Sequence, residues 1–273
     1  MHLSIITVCY NAEKSIRQTL KSVLYQNFLD YEYIIQDGGS TDSTCKIIED
    51  YISEFRKKGI PVMYSSEADK GIYNAMNKAL IKADGEWCYF LNADDRIYAN
   101  TVLKKVFEKH VYNGIDAVYG GYCRRDEENS FVFQSEDISI LPKKMPFIHQ
   151  SIFVKTNILK KYMYNEHYKL CADYDAFLKM YADGRVFKKI DTIIADYSII
   201  GLSGSNNISA LKETIEIRKQ HSEQFPIRLK EKIKWSGLVC VMHIKRLIPN
   251  RMLIVLRKMK ADIRIKIFHK TTN

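Results

Sequence analysis

The sequence lacks any paired cysteine or histidine spacing. Its six cysteines (Cys9, Cys45, Cys88, Cys123, Cys171 and Cys240) stand singly, with no CxxC among them. A disulfide framework or a zinc site is therefore not expected, and reduced thiols in a cytosolic protein are the default. No run of about 18 consecutive apolar residues occurs, so no spanning helix is expected. No basic n-region or small-residue cleavage site accompanies Leu3-Ser-Ile-Ile-Thr-Val-Cys9, which reads as a buried strand rather than a signal peptide. The glycines form neither GxGxxG nor GxxxxGKS/T, which argues against a dinucleotide fingerprint and against a P-loop. Internal repeats and low-complexity segments are missing too.

What is present is a globular composition. The chain has 273 residues, 46% hydrophobic and 27% charged, enough to bury a large core and incompatible with disorder over most of its length. The formal net charge of +10 is unevenly placed. Residues 227–273 hold 13 Lys/Arg against 2 Asp/Glu, leaving 29 basic and 30 acidic residues in 1–226. A near-neutral body thus carries a basic tail.

Along the first hundred residues, short apolar runs alternate with helical periodicity. Strands are predicted at Leu3–Val8, Tyr33–Ile35, Val62–Tyr64 and Trp87–Leu91. Between them Ile16, Leu20, Val23 and Leu24, then Ile48, Tyr51, Ile52 and Phe55, then Ile72, Met76, Ala79 and Leu80 fall at helical spacing. Asn11 is a plausible cap for the first helix, and one of Ser40, Thr41 and Asp42 for the second; Gly59 and Gly85 are stops. Such alternation means βαβ units and a largely parallel sheet. Beyond residue 100 the pattern is mixed. A helix around Leu103–Val111 precedes a strand at Ala117–Tyr119. Further strands are predicted at Phe147–Val154 and Val186–Tyr197, and helices at Tyr174–Tyr181 and Asn206–Gln224. Pro226 closes the body.

Ligands of open α/β sheets bind beyond the carboxyl ends of the strands. Here each of the first four strands ends in a polar cluster, around Thr7–Asn11, Gln36–Asp42, Glu67–Gly71 and Asn92–Asp95. Any one of these could be ordinary turn and cap chemistry; four together point to a site. They are rich in carboxylates, so a phosphorylated ligand would need a divalent cation between, and Asp94 and Asp95 suit Mg²⁺ or Mn²⁺.

The ordered set Ser4-Ile-Ile-Thr-Val-Cys-Tyr-Asn11, Asp37-Gly-Gly-Ser-Thr-Asp42, Asp69-Lys-Gly-Ile-Tyr-Asn-Ala-Met-Asn77 and Phe90-Leu-Asn-Ala-Asp-Asp95 resembles the family 2 (GT-A fold) glycosyltransferases, within them the bacterial enzymes that build cell-surface polysaccharides such as capsule, O-antigen and exopolysaccharide. The resemblance runs from about residue 3 to 205. It implies an α/β GT-A (nucleotide-diphospho-sugar transferase) fold, its sheet largely parallel and flanked by helices, with a basic helical C-terminal extension. It implies a domain over 1–225, with a nucleotide-binding half to about residue 100 and an acceptor half beyond, and an extension over 226–273.

The resemblance also implies roles. Thr7, Val8, Tyr10, Asn11, Gly38 and Ser40 would line the nucleotide, and Asp37 would hydrogen-bond uracil or another base edge. Asp69, Lys70 and Asn74 would lie near the ribose and phosphates, together with Asn92 and Ala93. Asp94 matches the metal-binding aspartate of the family's DxD motif; Asn92 stands where the family often has Asp, and can still bond a ribose hydroxyl. In Ala172-Asp-Tyr-Asp175, Asp173 matches the general base and Asp175 competes with it; Ala172 replaces the usual Glu. Asp95, His149, Gln150 and Ser203, the last within Gly201-Leu-Ser-Gly-Ser205, are assigned to the acceptor or donor-sugar pocket. The implied activity is an inverting, metal-dependent hexosyl- or N-acetylhexosaminyl-transfer from a nucleotide-diphosphate sugar, a UDP-sugar foremost, to a lipid-linked glycan. The alternative is a non-catalytic nucleotide-sugar-binding or assembly protein of the same fold.

In the tail, Trp235–Ile244, Leu247–Pro249, Met252–Leu256 and Ile263–Phe268 interleave apolar residues with Lys and Arg. Such blocks suit helices lying on an anionic bilayer. The expected location is the cytoplasm, peripheral at the inner face of the cell membrane. A helix pair packing with a solvated basic face competes, and a nucleic-acid partner is not expected for a near-neutral body.

Overall fold

The computed structural model describes residues 2–108, 111–125, 129–198 and 208–247. Strands β1 (Leu3–Cys9) and β2 (Tyr31–Asp37) are buried at every position, as befits parallel strands covered on both faces. β3 (Val62–Ser66) and β4 (Trp87–Phe90) flank them in the parallel order β3-β2-β1-β4. The register sets Cys9 beside Asp37, Asp37 beside Ser66 and Ile6 beside Phe90. All four carboxyl ends therefore meet one edge of the sheet. Helices α1 (Ile16–Leu24), α2 (Thr44–Lys57) and α3 (Ile72–Ile81) make the crossovers, each with an apolar stripe turned to the sheet.

The second half of the sheet is mixed. β5 (Arg96–Ile97), α4 (Val102–Phe107), β6 (Ala117–Arg125), β7 (Ser130–Phe133), β8 (Ile152–Lys155), α5 (Thr156–Tyr162), α6 (Ala172–Ala182) and β9 (Phe187–Ser198) follow in the chain. β8 pairs antiparallel with both β4 and β6, β9 runs parallel to β6, β5 pairs antiparallel with β9, and β7 pairs antiparallel with β6. The core joins both halves: Tyr89 stacks on Phe153 at 4.5 Å, and Phe107 meets Trp87, Tyr112 and Phe153.

Several expectations shift. Asn11 does not cap α1, whose first turn opens at Ser15; it takes φ 48° and bonds the next loop instead. The strand expected at Phe147–Val154 begins only at Ile152, behind a 3-10 turn at His149–Ser151. Gly59, at φ 75°, ends α2 as expected. Gly85 lies past the end of α3, and its role is close approach: a Cβ there would sit 2.6 Å from the Leu3 carbonyl carbon and the Ser4 nitrogen. Its N–H donates to Ser4 Oγ at 2.8 Å and to the buried Glu32 at 3.2 Å.

The chain divides into two compact units, Met1–Ser205 and Asn206–Asn273. The second contains α7 (Ile208–Gln220) and α8 (Leu229–Leu247), so residue 225 falls between its two helices. Arg218 of α7 is buried, paired with Glu231 of α8 at 3.4 Å and set over the Trp235 ring at 4.6 Å. Leu229 and Ile233 of α8 are exposed. Among the described residues no helix is long and apolar enough to cross a membrane. Residues 248–273 of the basic tail, and Gly201–Ser205 with Ser203, lie outside the described residues.

Candidate active site

The loops after β1 and β2 are laced together. Asn11 N–H donates to Ser40 Oγ at 2.7 Å, Asn11 Oδ1 accepts from Thr41 N–H at 2.9 Å, and Ala12 N–H donates to Thr44 Oγ1 at 2.7 Å. At the centre lies Asp37, fully buried. Its Oδ2 accepts from Gly39 N–H at 3.0 Å, Ser40 N–H at 2.8 Å and Ser66 Oγ at 2.6 Å, and its Oδ1 from Ser40 Oγ. The thiols of Cys9 and Cys45 close on the same carboxylate at 3.5 Å. Burial works to raise the Asp37 pKa, but the hydrogen bonds from Ser40 and Ser66 outweigh it and hold the group below the ordinary carboxylate range. Asp37 therefore shapes the loop, and its lone pairs are taken by protein donors. A base-edge contact, the role expected for it, would have to displace one of them.

Thr7 and Val8 also depart from expectation. Both are buried, and Thr7 Oγ1 bonds Tyr33 OH at 2.8 Å inside the core. The surface left at this edge belongs to Tyr10, 62% exposed, and to Gly38 and Asp69. A Cβ at Gly38 would lie 2.4 Å from Asp69 Oδ2 and 3.5 Å from Tyr10 Cβ, so glycine lets the three meet. Asp69 Oδ1 accepts from Gly71 N–H at 2.7 Å, and the Lys70 side chain is exposed beside it. Asn74 Oδ1 accepts the Lys70 N–H at 3.2 Å, and Asn74 Nδ2 donates to Glu166 at 2.9 Å.

After β4 the chain turns through Asn92, Ala93, Asp94 and Asp95. Ala93 is buried. Asp95, expected in the sugar pocket, is instead a buried strut: its Oδ2 accepts from Gln150 Nε2 at 2.6 Å and its Oδ1 from Ser198 N–H at 3.0 Å. Gln150, likewise buried, is held in turn by Tyr89 OH on its carbonyl at 2.9 Å. Desolvation pushes the Asp95 pKa well up, and the neighbouring Asp94 adds to it. Asp94 is half-buried; desolvation raises its pKa too, while Arg125 pulls it down. Arg125, which the sequence did not single out, donates to the Asp94 carbonyl at 3.4 Å and to Asp196 at 3.1 and 3.2 Å.

Whether these residues fit a divalent cation can be tested on their hydrogen bonding. Among the described residues the Asp94 carboxyl accepts nothing from another residue, and Asn92 Oδ1 is a buried acceptor without a partner. No group of three or more His, Cys, Asp or Glu side chains is set to hold a metal among the described residues. One carboxylate with hard oxygen neighbours is the donor set of an Mg²⁺-like ion that completes its shell with substrate phosphates and water. The residues fit.

A second cluster gathers around α6. Asp173, in its first turn, accepts from Tyr73 OH of α3 at 3.2 Å and from the Tyr174 N–H at 2.8 Å, both on Oδ1. Asp173 Oδ2 accepts nothing else among the described residues. Asp175 is different: it is buried and paired with Lys179 at 2.7 Å. His149, expected in a substrate pocket, packs against Phe90, Tyr164 and Phe177, with its Nε2 2.8 Å from Tyr164 OH. Burial lowers its pKa, with the Asp173 charge opposing. One contact chain thus connects the two ends of the site, from Asp95 through Gln150 and its neighbour His149 to Tyr164, Tyr73 and Asp173.

The family model described as Glycosyl transferase family 2 matches residues 4–183. A "PGL/p-HBAD biosynthesis glycosyltransferase" of Mycobacterium bovis is 29% identical over 229 residues, covering 83% of this chain and 87% of the relative. Among solved structures, S. aureus TarS superposes with a TM-score of 0.64 at 20% identity; the match covers 89% of this chain and 43% of that longer one. TarS 1-349 in complex with UDP-GlcNAc gives 0.62 at 20% identity, over 89% of this chain and 80% of that one. The mannosyltransferase PcManGT from Pyrobaculum calidifontis, in complex with GDP-Man and Mn²⁺, gives 0.63 at 16% identity, over 89% and 70%. At these identities the structural likeness speaks for the fold, which is the expected GT-A fold.

Proposed function

The chain belongs to glycosyl transferase family 2, and on that premise we propose that it is an inverting transferase moving a hexosyl or N-acetylhexosaminyl group from a UDP-sugar to a lipid-linked glycan in bacterial surface polysaccharide synthesis. The observation that carries the reading is a pair of half-buried carboxylates at the site, Asp94 and Asp173, each keeping an oxygen that takes no donor from another described residue, where Asp37, Asp95 and Asp175 are buried and bonded to protein donors. UDP and UDP-GlcNAc complexes of TarS, and Mn²⁺ with GDP-Man in PcManGT, support a nucleotide-sugar donor and a divalent ion.

In this reading the exposed Tyr10 ring stacks on the base above the Gly38–Asp69 contact, with Asn11 and Ser40 framing it. Lys70 faces the diphosphate, and Asn92 a ribose hydroxyl. Asp94 would hold Mn²⁺ or Mg²⁺, which when bound neutralises charge on the leaving diphosphate. Asp173 takes the acceptor hydroxyl's proton on Oδ2 as that oxygen attacks the anomeric carbon from the face opposite UDP. The Tyr73 hydroxyl on Oδ1 fixes the carboxylate's orientation. The basic tail and the exposed Leu229 and Ile233 of α8 bring the body to an anionic membrane surface at the cytoplasmic face, where lipid-linked acceptors reside.

The test is UDP release from a panel of UDP-sugars, with Mn²⁺ or Mg²⁺, by wild type, Asp94→Ala and Asp173→Ala. Wild type should turn over at least one sugar, and both variants should lose about 10²-fold or more. Asp173→Ala should keep its UDP affinity. Wild type that binds UDP and turns over no sugar overturns the enzymatic reading in favour of a binding or assembly role.

A further inference from the structure

Glu166 lies on the segment between α5 and α6, and nothing in the reaction just described uses it. Its carboxylate nonetheless ties α3 to the segment that leads to Asp173. Oε2 accepts from Asn74 Nδ2 at 2.9 Å and Oε1 from Asn77 Nδ2 at 3.0 Å, across about 90 residues of sequence. Asn74 and Asn77 are one turn apart on α3, so a single bidentate acceptor can engage both side chains. Each asparagine is committed elsewhere through its carbonyl. Asn74 Oδ1 takes the Lys70 N–H at 3.2 Å, and Asn77 Oδ1 takes the Tyr164 N–H at 2.9 Å, while Asn77 Nδ2 also reaches the Tyr164 carbonyl at 2.8 Å. Those commitments fix both amide orientations, because turning either amide would set an oxygen against Glu166 and release a backbone N–H.

Tyr73 directly precedes Asn74 on α3. Its hydroxyl holds Asp173, and its ring lies 5.6 Å from Tyr164. The carboxylate therefore touches both a clamp on the loop carrying Asp69 and Lys70 and a clamp on the segment leading to Asp173. From this geometry we propose that Glu166 is a positioning residue that couples the donor-side loop Asp69–Asn74 to the segment carrying Asp173, so that the diphosphate contact and the base are held in register. The role assigned to those two ends rests on the function proposed above; the coupling itself is a property of the hydrogen bonds.

The polarity of the clamp gives the test. In Glu166→Gln one oxygen becomes an NH₂ facing an asparagine NH₂, and one of the two bonds must fail. Adding Asn74→Asp reverses the pair: the aspartate accepts from the new NH₂ with one oxygen and from Lys70 N–H with the other, while the glutamine oxygen still serves Asn77. Asn74→Asp alone sets two carboxylates together. The measurements are amide hydrogen exchange over 69–74 and 171–175 in the full chain, titration with UDP and Mn²⁺, and the KM for UDP-sugar against kcat.

Glu166→Gln should speed exchange in both segments and weaken UDP by about tenfold; Asn74→Asp alone should be worse, and the double variant should return within about threefold of wild type. Faster exchange in only one segment, or a double variant no better than Glu166→Gln, overturns the coupling. If wild type does not bind UDP, the donor assignment falls, and the exchange result still decides the coupling. A lowered melting temperature with unchanged exchange and unchanged UDP affinity reduces Glu166 to a merely structural part and refutes the proposal.

Discussion

Asp37→Asn isolates the worth of a charge at the centre of the loops after β1 and β2. The native carboxylate accepts four N–H or O–H donors, from Gly39, Ser40 twice and Ser66, in a fully buried place. A hydrogen bond to a charged group contributes about 1.5–3 kcal/mol and one to a neutral group about 0.5–1.5, so with the amide oxygen at the Oδ2 place its three bonds each weaken by about 1 kcal/mol, while the NH₂ at the Oδ1 place obliges the Ser40 hydroxyl to turn and accept. The uncharged amide is easier to bury, which returns part of that. The net loss at pH 7 should be about 2–3 kcal/mol, or about 4–12 °C in melting temperature for a domain of this size.

The pH dependence has a definite sign. The folded pKa lies below the ordinary value of 3.8, so the charge stabilises the fold above that value and the contribution is lost as pH falls through the folded pKa. Urea unfolding of both proteins between about pH 3 and 7 should show a constant gap at the upper end that narrows below about pH 4. A gap below about 0.5 kcal/mol at pH 7, or one of equal size at pH 5 and pH 3, refutes the argument that the charge organises this loop.

Asp175→Asn should destabilise the protein by about 1–3 kcal/mol in urea unfolding, through loss of a buried pair with Lys179, while leaving transfer within a few-fold; a loss of transfer matching that of Asp173→Asn would move the base to Asp175. Full-length protein should sediment with anionic liposomes, since each of the 13 basic residues of 227–273 held near the surface adds on the order of 1 kcal/mol, and a chain ending at 226 should stay in the supernatant. Equal sedimentation of both forms removes the membrane role from the tail.

The parallel half of the fold was legible because its signals are local. β1 and β2 are buried at all positions and announce themselves by the short apolar runs Ile5-Ile6 and Tyr33–Ile35 at their centres, and α1 to α3 carry their stripes at helical spacing. β5 has two residues and β7 is largely exposed, so neither leaves a periodic trace; pairing with β9 and β6 alone makes them strands. The site divides the same way. Turn chemistry marks the four loops but not which side chains are exposed: Thr7 and Val8 are buried because the sheet is covered on both faces, and His149 because aromatic rings enclose it. Tyr73, Arg125, Asp196 and Glu166 were missed because each acts on a partner 31 to 100 residues away. A spacing of three between Asn74 and Asn77 was the one local hint of the Glu166 clamp.

In the reading proposed above, burial and engagement together separate the carboxylates that would do the chemistry from those that frame them, and motif position gives neither. Asp94 and Asp95 are adjacent in sequence and both feel desolvation, yet Asp95 takes Gln150 and Ser198 while Asp94 takes no other described residue. Asp173 and Asp175 share the first turn of α6, yet Asp175 is buried and bound by the lysine one turn on, while Asp173 is half-buried and its Oδ2 takes no donor among the described residues. In each pair the buried partner is locked by protein groups, which fixes the backbone that presents the other. A carboxylate that must take a proton or hold a cation has to keep acceptor capacity, and its surroundings have to tolerate the charge meanwhile. Swapping the partners within either pair should therefore cost both stability and turnover, because the locked residue would lose its donors and the open one would gain competitors.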